Sequence, residues 1–95
     1  MNELELRIWK EELQSQKDRN TIKLKKLKQK IERTNARMNF LLDLKEHLQS
    51  NLILKLEEEM NNLWVEYENV KKEINDMDTI LYSIDIETGK IFVCL

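Results

Sequence analysis

Proline is absent from this 95-residue sequence, and glycine occurs once, as Gly89. Proline breaks helices and glycine weakens their interiors, so no strong helix breaker precedes Gly89. Aromatic residues make up only 6% of the chain, whereas charged residues make up 36%, and the mean hydropathy is -0.62. This composition argues against a globule with a large aromatic core and is typical of a long helix or coiled coil.

Cysteine and long apolar runs are also nearly missing. Cys94 is the only cysteine, so no disulfide can form within the chain. A lone thiol fits a reducing compartment, and we expect an intracellular protein of the cytoplasm or nucleus. No apolar run approaches the roughly 18 residues that a membrane span needs, and the charged N-terminus does not resemble a signal peptide. The sequence therefore predicts no membrane span.

Patterns that carry catalytic chemistry are absent as well. His47 is the only histidine, and the sequence contains no glycine-rich phosphate loop, nucleophile elbow or calcium-binding loop. The simplest interpretation makes His47 a solvated residue and Cys94 an inert apolar thiol. We expect no enzymatic activity, no cofactor and no metal site.

What the sequence does contain is a heptad stripe of apolar residues over residues 1–78. Leu6, Trp9 and Leu13 begin it, it fades at Gln16 and Asn20, and a second phase starts at Leu24. Between Leu48 and Met60 the spacing drifts to steps of four, which indicates a local change of supercoil. We predict a helix–helix seam formed by Leu24, Leu27, Ile31, Met38, Leu41, Leu48, Leu52, Leu56, Met60, Leu63, Tyr67, Val70, Ile74 and Met77.

The apolar stripe widens at three places, residues 40–42, 52–54 and 63–65. A two-stranded coiled coil needs only a narrow seam, so the extra width indicates more than one neighbour. Either more than two helices meet there, or another subunit docks.

Charge is divided unevenly along the chain. Residues 17–37 hold nine basic and two acidic side chains, a net +7, and residues 57–78 hold eight acidic and two basic ones, a net -6. Two arrangements would bring these blocks together: an antiparallel pair of chains, or one helix folded back near Gln49, Ser50 and Asn51. Such patterns select partner and orientation more than they add stability.

The last segment, residues 79–95, alternates apolar and polar residues as a half-buried strand does. We predict a β-hairpin whose turn contains Gly89, with a buried face made of Tyr82, Ile84, Ile86, Ile91 and Val93. A lone hairpin is marginally stable, so this segment is expected to pair with a partner or a second copy.

A long coiled coil that leads into the stretch Asp78–Val93 resembles coiled-coil subunits of eukaryotic kinetochore complexes. In that family the rod leads into a small RWD-type head whose sheet pairs with a partner subunit. The resemblance implies a subunit carrying part of such a head.

The predicted fold class is all-α, a long coiled-coil helix bent or folded back near 48–52, with a short C-terminal β-hairpin. The predicted function is a non-catalytic oligomerisation or scaffold subunit that binds protein, either as a homo-oligomer or with a coiled-coil hetero-partner. The alternatives are the kinetochore-type subunit, a small regulatory adaptor or inhibitor, and an electrostatic nucleic-acid binder. The last would contact anions through Lys23, Lys25, Lys26, Lys28, Lys30, Arg33 and Arg37.

Overall fold

The computed structural model describes residues 2–89 of the chain, and they form a helical hairpin. Helix α1 spans Glu3–Asp43, a short 3-10 turn spans Lys45–His47, and helix α2 spans Leu52–Glu87. The two α-helices pack against each other in antiparallel directions, because α1 residues of rising number meet α2 residues of falling number. The expectation of an almost wholly helical chain is confirmed, and the chain folds back between Asp43 and Leu52.

The ends of the helices follow from local chemistry. Asn2 caps α1, because its Oδ1 accepts a hydrogen bond from the Glu5 backbone N at 2.8 Å. Glu3 and Glu5 add negative charge where the helix dipole is positive. Gly89 has a φ of 74° and its N–H bonds to the Ile86 carbonyl, so the sole glycine ends α2 in the left-handed conformation.

The core of the hairpin is one seam between the helices. Inward-facing residues on each helix are spaced alternately by three and four, as in a coiled coil, and all are buried or half-buried. On α1 they are Leu6, Lys10, Leu13, Lys17, Asn20, Leu24, Leu27, Ile31, Thr34, Met38 and Leu41. On α2 they are Ile53, Leu56, Met60, Leu63, Tyr67, Val70, Ile74, Met77, Leu81 and Ile84, and the C-cap residue Thr88 continues the spacing.

The hairpin is long and thin. Its extents are 65 × 27 × 16 Å and its radius of gyration is 20.6 Å, whereas a compact domain of this length has a radius of about 12 Å. Within the described residues, no large side chain is less than 2% exposed. Two helices thus cover each other along one stripe and leave the flanks of that stripe in contact with water.

The predicted first strand of a β-hairpin is wrong. Tyr82, Ile84 and Ile86 lie in the last turns of α2, where Tyr82 and Ile86 are exposed and Ile84 is 3% exposed. The heptad spacing through Met77, Leu81 and Ile84 continues across this segment, and these three residues form one buried cluster with Leu13 of α1. Ile91 and Val93, from the predicted second strand, lie outside the described residues.

The predicted phase break near Asn20 is also wrong. The stripe passes without interruption from Leu13 through Lys17 and Asn20 to Leu24, because two polar residues occupy inward positions. Trp9, which the apolar pattern placed on the stripe, is 37% exposed, and Lys10 takes the inward position instead. The irregular spacing after Leu48 has a simpler cause, since the chain there leaves one helix and starts the next.

Replacing Leu27 by alanine is expected to destabilise the hairpin by about 2–3 kcal/mol, because a side chain only 4% exposed is removed from the seam. Urea unfolding followed by circular dichroism measures the change. Ile22→Ala is the matched control: Ile22 is 57% exposed on the same helix, so its loss should alter stability by less than about 0.5 kcal/mol. Equal effects of the two substitutions would contradict the seam.

Candidate protein-binding surface

Two lysines of α1 lie in the seam and reach across it. Lys10 and Lys17, seven residues apart, form ion pairs with Asp85 and Asp78, which are also seven residues apart on α2. Both lysine side chains are 29% exposed. Their aliphatic stems can cover the seam while their ammonium groups stay at its edge. The repeat of the pair after one heptad favours this register of the two helices.

Further polar contacts keep the same antiparallel register. Asn20 Nδ2 donates to Glu73 Oε2 at 3.2 Å and lies 3.9 Å from the Sδ of Met77. Lys23 Nζ lies 3.4 Å from Glu66 Oε1. A polar residue at a seam position favours the register that satisfies it over registers that do not.

The residues predicted for the helix–helix seam fall mostly on these facing stripes. All of them are buried or half-buried except Leu52, which is 45% exposed at the start of α2. The seam also contains residues that the prediction did not include, among them Leu13, Leu81 and Ile84. Leu13 belongs to the stripe that the heptad spacing predicted, although it was not assigned to the seam, whereas Lys10 and Lys17 carry no signal in an apolar pattern.

The seven basic residues proposed as contacts for anions are all exposed: Lys23, Lys25, Lys26, Lys28, Lys30, Arg33 and Arg37. They do not form an isolated positive surface, because the acidic segment 57–78 of α2 runs beside the basic segment 17–37 of α1. With net charges of +7 and -6 side by side, the field of the basic segment is largely cancelled beyond a Debye length of about 8–10 Å.

The two flanks of the seam differ in character near the turn. We call the first flank the Trp64 face: Trp64, Leu54 and Leu42 are 47%, 57% and 45% exposed there. They border two neighbouring grooves. One, of about 370 Å³, is lined by Lys28, Ile31, Glu32, Asn35, Met38, Met60 and Trp64. The other, of about 290 Å³, is lined by Leu42, Lys45, Leu48, Ser50, Asn51, Ile53, Leu54 and Glu57.

The opposite flank is charged at the same level of the hairpin. We call it the Arg33 face: its groove is lined by Lys30, Arg33, Thr34, Arg37, Glu59 and Leu63. Closer to the turn this flank also exposes apolar side chains, since Phe40 lies one heptad after Arg33 and Leu52 lies one heptad before Glu59. The widened stripe at residues 40–42, 52–54 and 63–65 separates in the structure into residues of the Trp64 face and residues elsewhere, such as Phe40 and Val65.

The indole of Trp64 is held by a neighbouring ring. Its centroid lies 5.5 Å from that of Tyr67, with an interplanar angle of 80°, an edge-to-face arrangement. Tyr67 is itself a half-buried seam residue. A half-exposed tryptophan fixed in this way loses little conformational entropy on binding, and tryptophan is a frequent anchor at protein interfaces.

Comparisons with known proteins do not assign this hairpin to a family. No protein-family model, curated protein sequence or solved structure matches the chain. Among residues 2–89, no three histidine, cysteine, aspartate or glutamate side chains are grouped so that they could hold a metal ion. Within the same range, neither helix is long and apolar enough to cross a membrane.

Asp78→Lys is expected to destabilise the hairpin because it places two cations together at the seam edge, and adding Lys17→Asp should recover part of the loss. The two side chains are partly exposed, so we expect a coupling free energy of about 0.5 kcal/mol from a double-mutant cycle. The coupling should shrink in 1 M salt, where the Debye length is about 3 Å. A coupling of zero at low salt would show that this pair does not help to set the register.

Proposed function

We propose that this chain is a non-catalytic association module, a helical hairpin that binds a helix of a protein partner along its Trp64 face. The observation that carries the proposal is the exposure of Leu42, Leu54 and Trp64 beside two neighbouring grooves on one flank of the turn end. The partner is either a second copy of the chain or another helical protein.

The apolar grooves supply a physical reason for binding. Leu42, Leu54 and Trp64 are 45–57% exposed beside these grooves, so a docking helix would remove their apolar surface from water. Each 100 Å² of apolar surface removed from water contributes roughly 2.5 kcal/mol before the costs of association. A helix laid across these grooves would turn the two-helix seam into a three- or four-helix core, which buries helix flanks far better.

Electrostatic binding of nucleic acid through residues 17–37 is less well supported. The acidic segment of α2 lies alongside that basic segment and contacts it through Lys17–Asp78 and Lys23–Glu66. A duplex approaching the basic residues would meet carboxylates at the same level, and phosphate binding depends on uncompensated positive charge. The kinetochore-type alternative requires a β-strand at residues 82–86, and that segment is helical here.

Photo-crosslinking tests the proposal without requiring that the partner be identified beforehand. A photoreactive amino acid is placed at Leu54 on the Trp64 face, and at Val65 as a matched control. The two positions are both on α2 and are 57% and 62% exposed. We expect defined crosslinked species from Leu54, in purified protein or in cells of the source organism, and few from Val65.

A second substitution checks that the crosslinks depend on apolar contact. Trp64→Glu should abolish the crosslinks from Leu54, while circular dichroism should show the hairpin still helical, since Trp64 is 47% exposed. Equal crosslinking from Leu54 and Val65, or crosslinks unaffected by Trp64→Glu, would contradict an association site on this face.

A further inference from the structure

The hairpin has opposite charge on its two arms. The basic segment 17–37 lies in α1 and the acidic segment 57–78 lies in α2, and the antiparallel register places them at the same level. Seen across its width, the molecule is positive on one side and negative on the other. A surface of this kind is complementary to itself under a suitable rotation.

Two rotations bring the Trp64 faces of two copies together with their turn ends overlapping. A twofold axis parallel to the long axis of the hairpin places α1 of one copy over α2 of the other. A twofold axis perpendicular to the long axis and lying between the faces places α1 over α1 and α2 over α2. Near the turn, the Trp64 face carries Lys25, Lys28 and Glu32 on α1, and Glu57 and Glu68 on α2. The first rotation sets this net +1 of α1 against the net -2 of α2, whereas the second sets each charge against its own sign, which is unfavourable.

We propose that a second copy of this chain occupies the Trp64 face, related by a twofold axis along the hairpin, with both turns at the same end. The inference rests on the proposed association function and names its partner. Each α1 then has an acidic α2 on two sides, one from its own chain and one from its partner. The turn ends form a four-helix bundle in which like-charged helices lie on the diagonals.

The composition of the Trp64 face limits where the two copies touch. Near the turn it carries Leu42, Leu54 and Trp64, while farther along it carries Thr21, Lys71 and Asp78 at the corresponding heptad positions. The apolar contact therefore belongs to the turn half of the hairpin. One face of a body 65 Å long and 27 Å wide still offers enough area over half its length for a standard interface of about 800 Å² per partner.

A specific contact follows from this arrangement. Lys25 lies five residues after Asn20, and Glu68 lies five residues before Glu73, so the register that pairs Asn20 with Glu73 sets Lys25 and Glu68 at one level. Both side chains are exposed and flank the Trp64 face on different arms. In the dimer, Lys25 of one copy faces Glu68 of the other.

Distance measurements between spin labels distinguish the two rotations. A label at Ser15→Cys, in a chain carrying Cys94→Ser, sits on the exposed back of α1, about 42 Å from the end of that helix at Asp43. Light scattering on the same sample should give the mass of a dimer. The two labels should lie within about 40 Å of each other in the proposed dimer, and beyond about 60 Å if the open ends point apart.

The outcomes separate this inference from the function on which it rests. A dimer with the short distance supports it, and a dimer with the long distance overturns the axis along the hairpin. A chain that stays monomeric at 100 μM or above, about the upper limit for a weak specific dimer, overturns the second copy as partner. In that case crosslinks from Leu54 to a different protein would leave the association function standing.

Charge reversal gives an independent readout with a matched control. Lys25→Glu should weaken the dimer about three- to tenfold in sedimentation equilibrium, as expected for a rim ion pair turned repulsive. Adding Glu68→Lys should restore it. Lys26→Glu makes the same change in charge one residue away, on the flank belonging to the Arg33 face, and should leave the dissociation constant nearly unchanged. Equal weakening by Lys25→Glu and Lys26→Glu would overturn the proposed contact.

Discussion

The seam between α1 and α2 is the contact on which the rest of this structure depends. A single amphipathic helix of about 40 residues exposes its apolar stripe to water and gains little from helix propensity alone. Here each stripe covers the other, and Leu27, Val70 and Ile84 become almost completely buried. The ion pairs Lys10–Asp85 and Lys17–Asp78 form in this antiparallel register and favour it. Everything on the surface, including which side chains share a face, follows from that register.

The same register divides the outer surface into two unlike flanks. The groove of the Arg33 face is lined mainly by charged residues, while the Trp64 face presents Leu42, Leu54 and Trp64 beside grooves with a partly apolar floor. Two helices have too little width to bury both flanks of their stripes, so natural hairpins of this kind gain stability when further helices complete the core. The proposed association function and the proposed dimer both place a partner helix on the Trp64 face.

Much of the architecture could be predicted from the sequence, because heptad spacing and the absence of proline are strong local signals. The opposite charges of residues 17–37 and 57–78 indicated either an antiparallel pair of chains or a fold-back near residues 49–51, and only the structure distinguishes the two. The errors arose at residues that fit two structural roles. Lys10 and Lys17 cover the seam with their aliphatic stems, but a search for apolar residues does not detect lysine. Ile84 fits an alternating pattern and a heptad equally well. The α1 residues that hold Ile84 in a helix are some 70 positions away, so local alternation could not resolve it. The Trp64 face was visible only as a widened stripe, since the sequence does not show on which flank each apolar residue falls.

The central claim, that one chain folds back so that its basic arm lies on its acidic arm, is tested most directly by an intramolecular distance. Fluorophores are attached at Ser15→Cys and Thr79→Cys in a Cys94→Ser chain, and the labelled protein is diluted into a large excess of unlabelled chains. Ser15 and Thr79 are both exposed on the outer sides of the hairpin, whose width is 27 Å. The account predicts a separation of about 30–40 Å, whereas a continuous helix would place the two positions about 96 Å apart at 1.5 Å per residue. Efficient energy transfer under these conditions supports the hairpin, and its absence would contradict it.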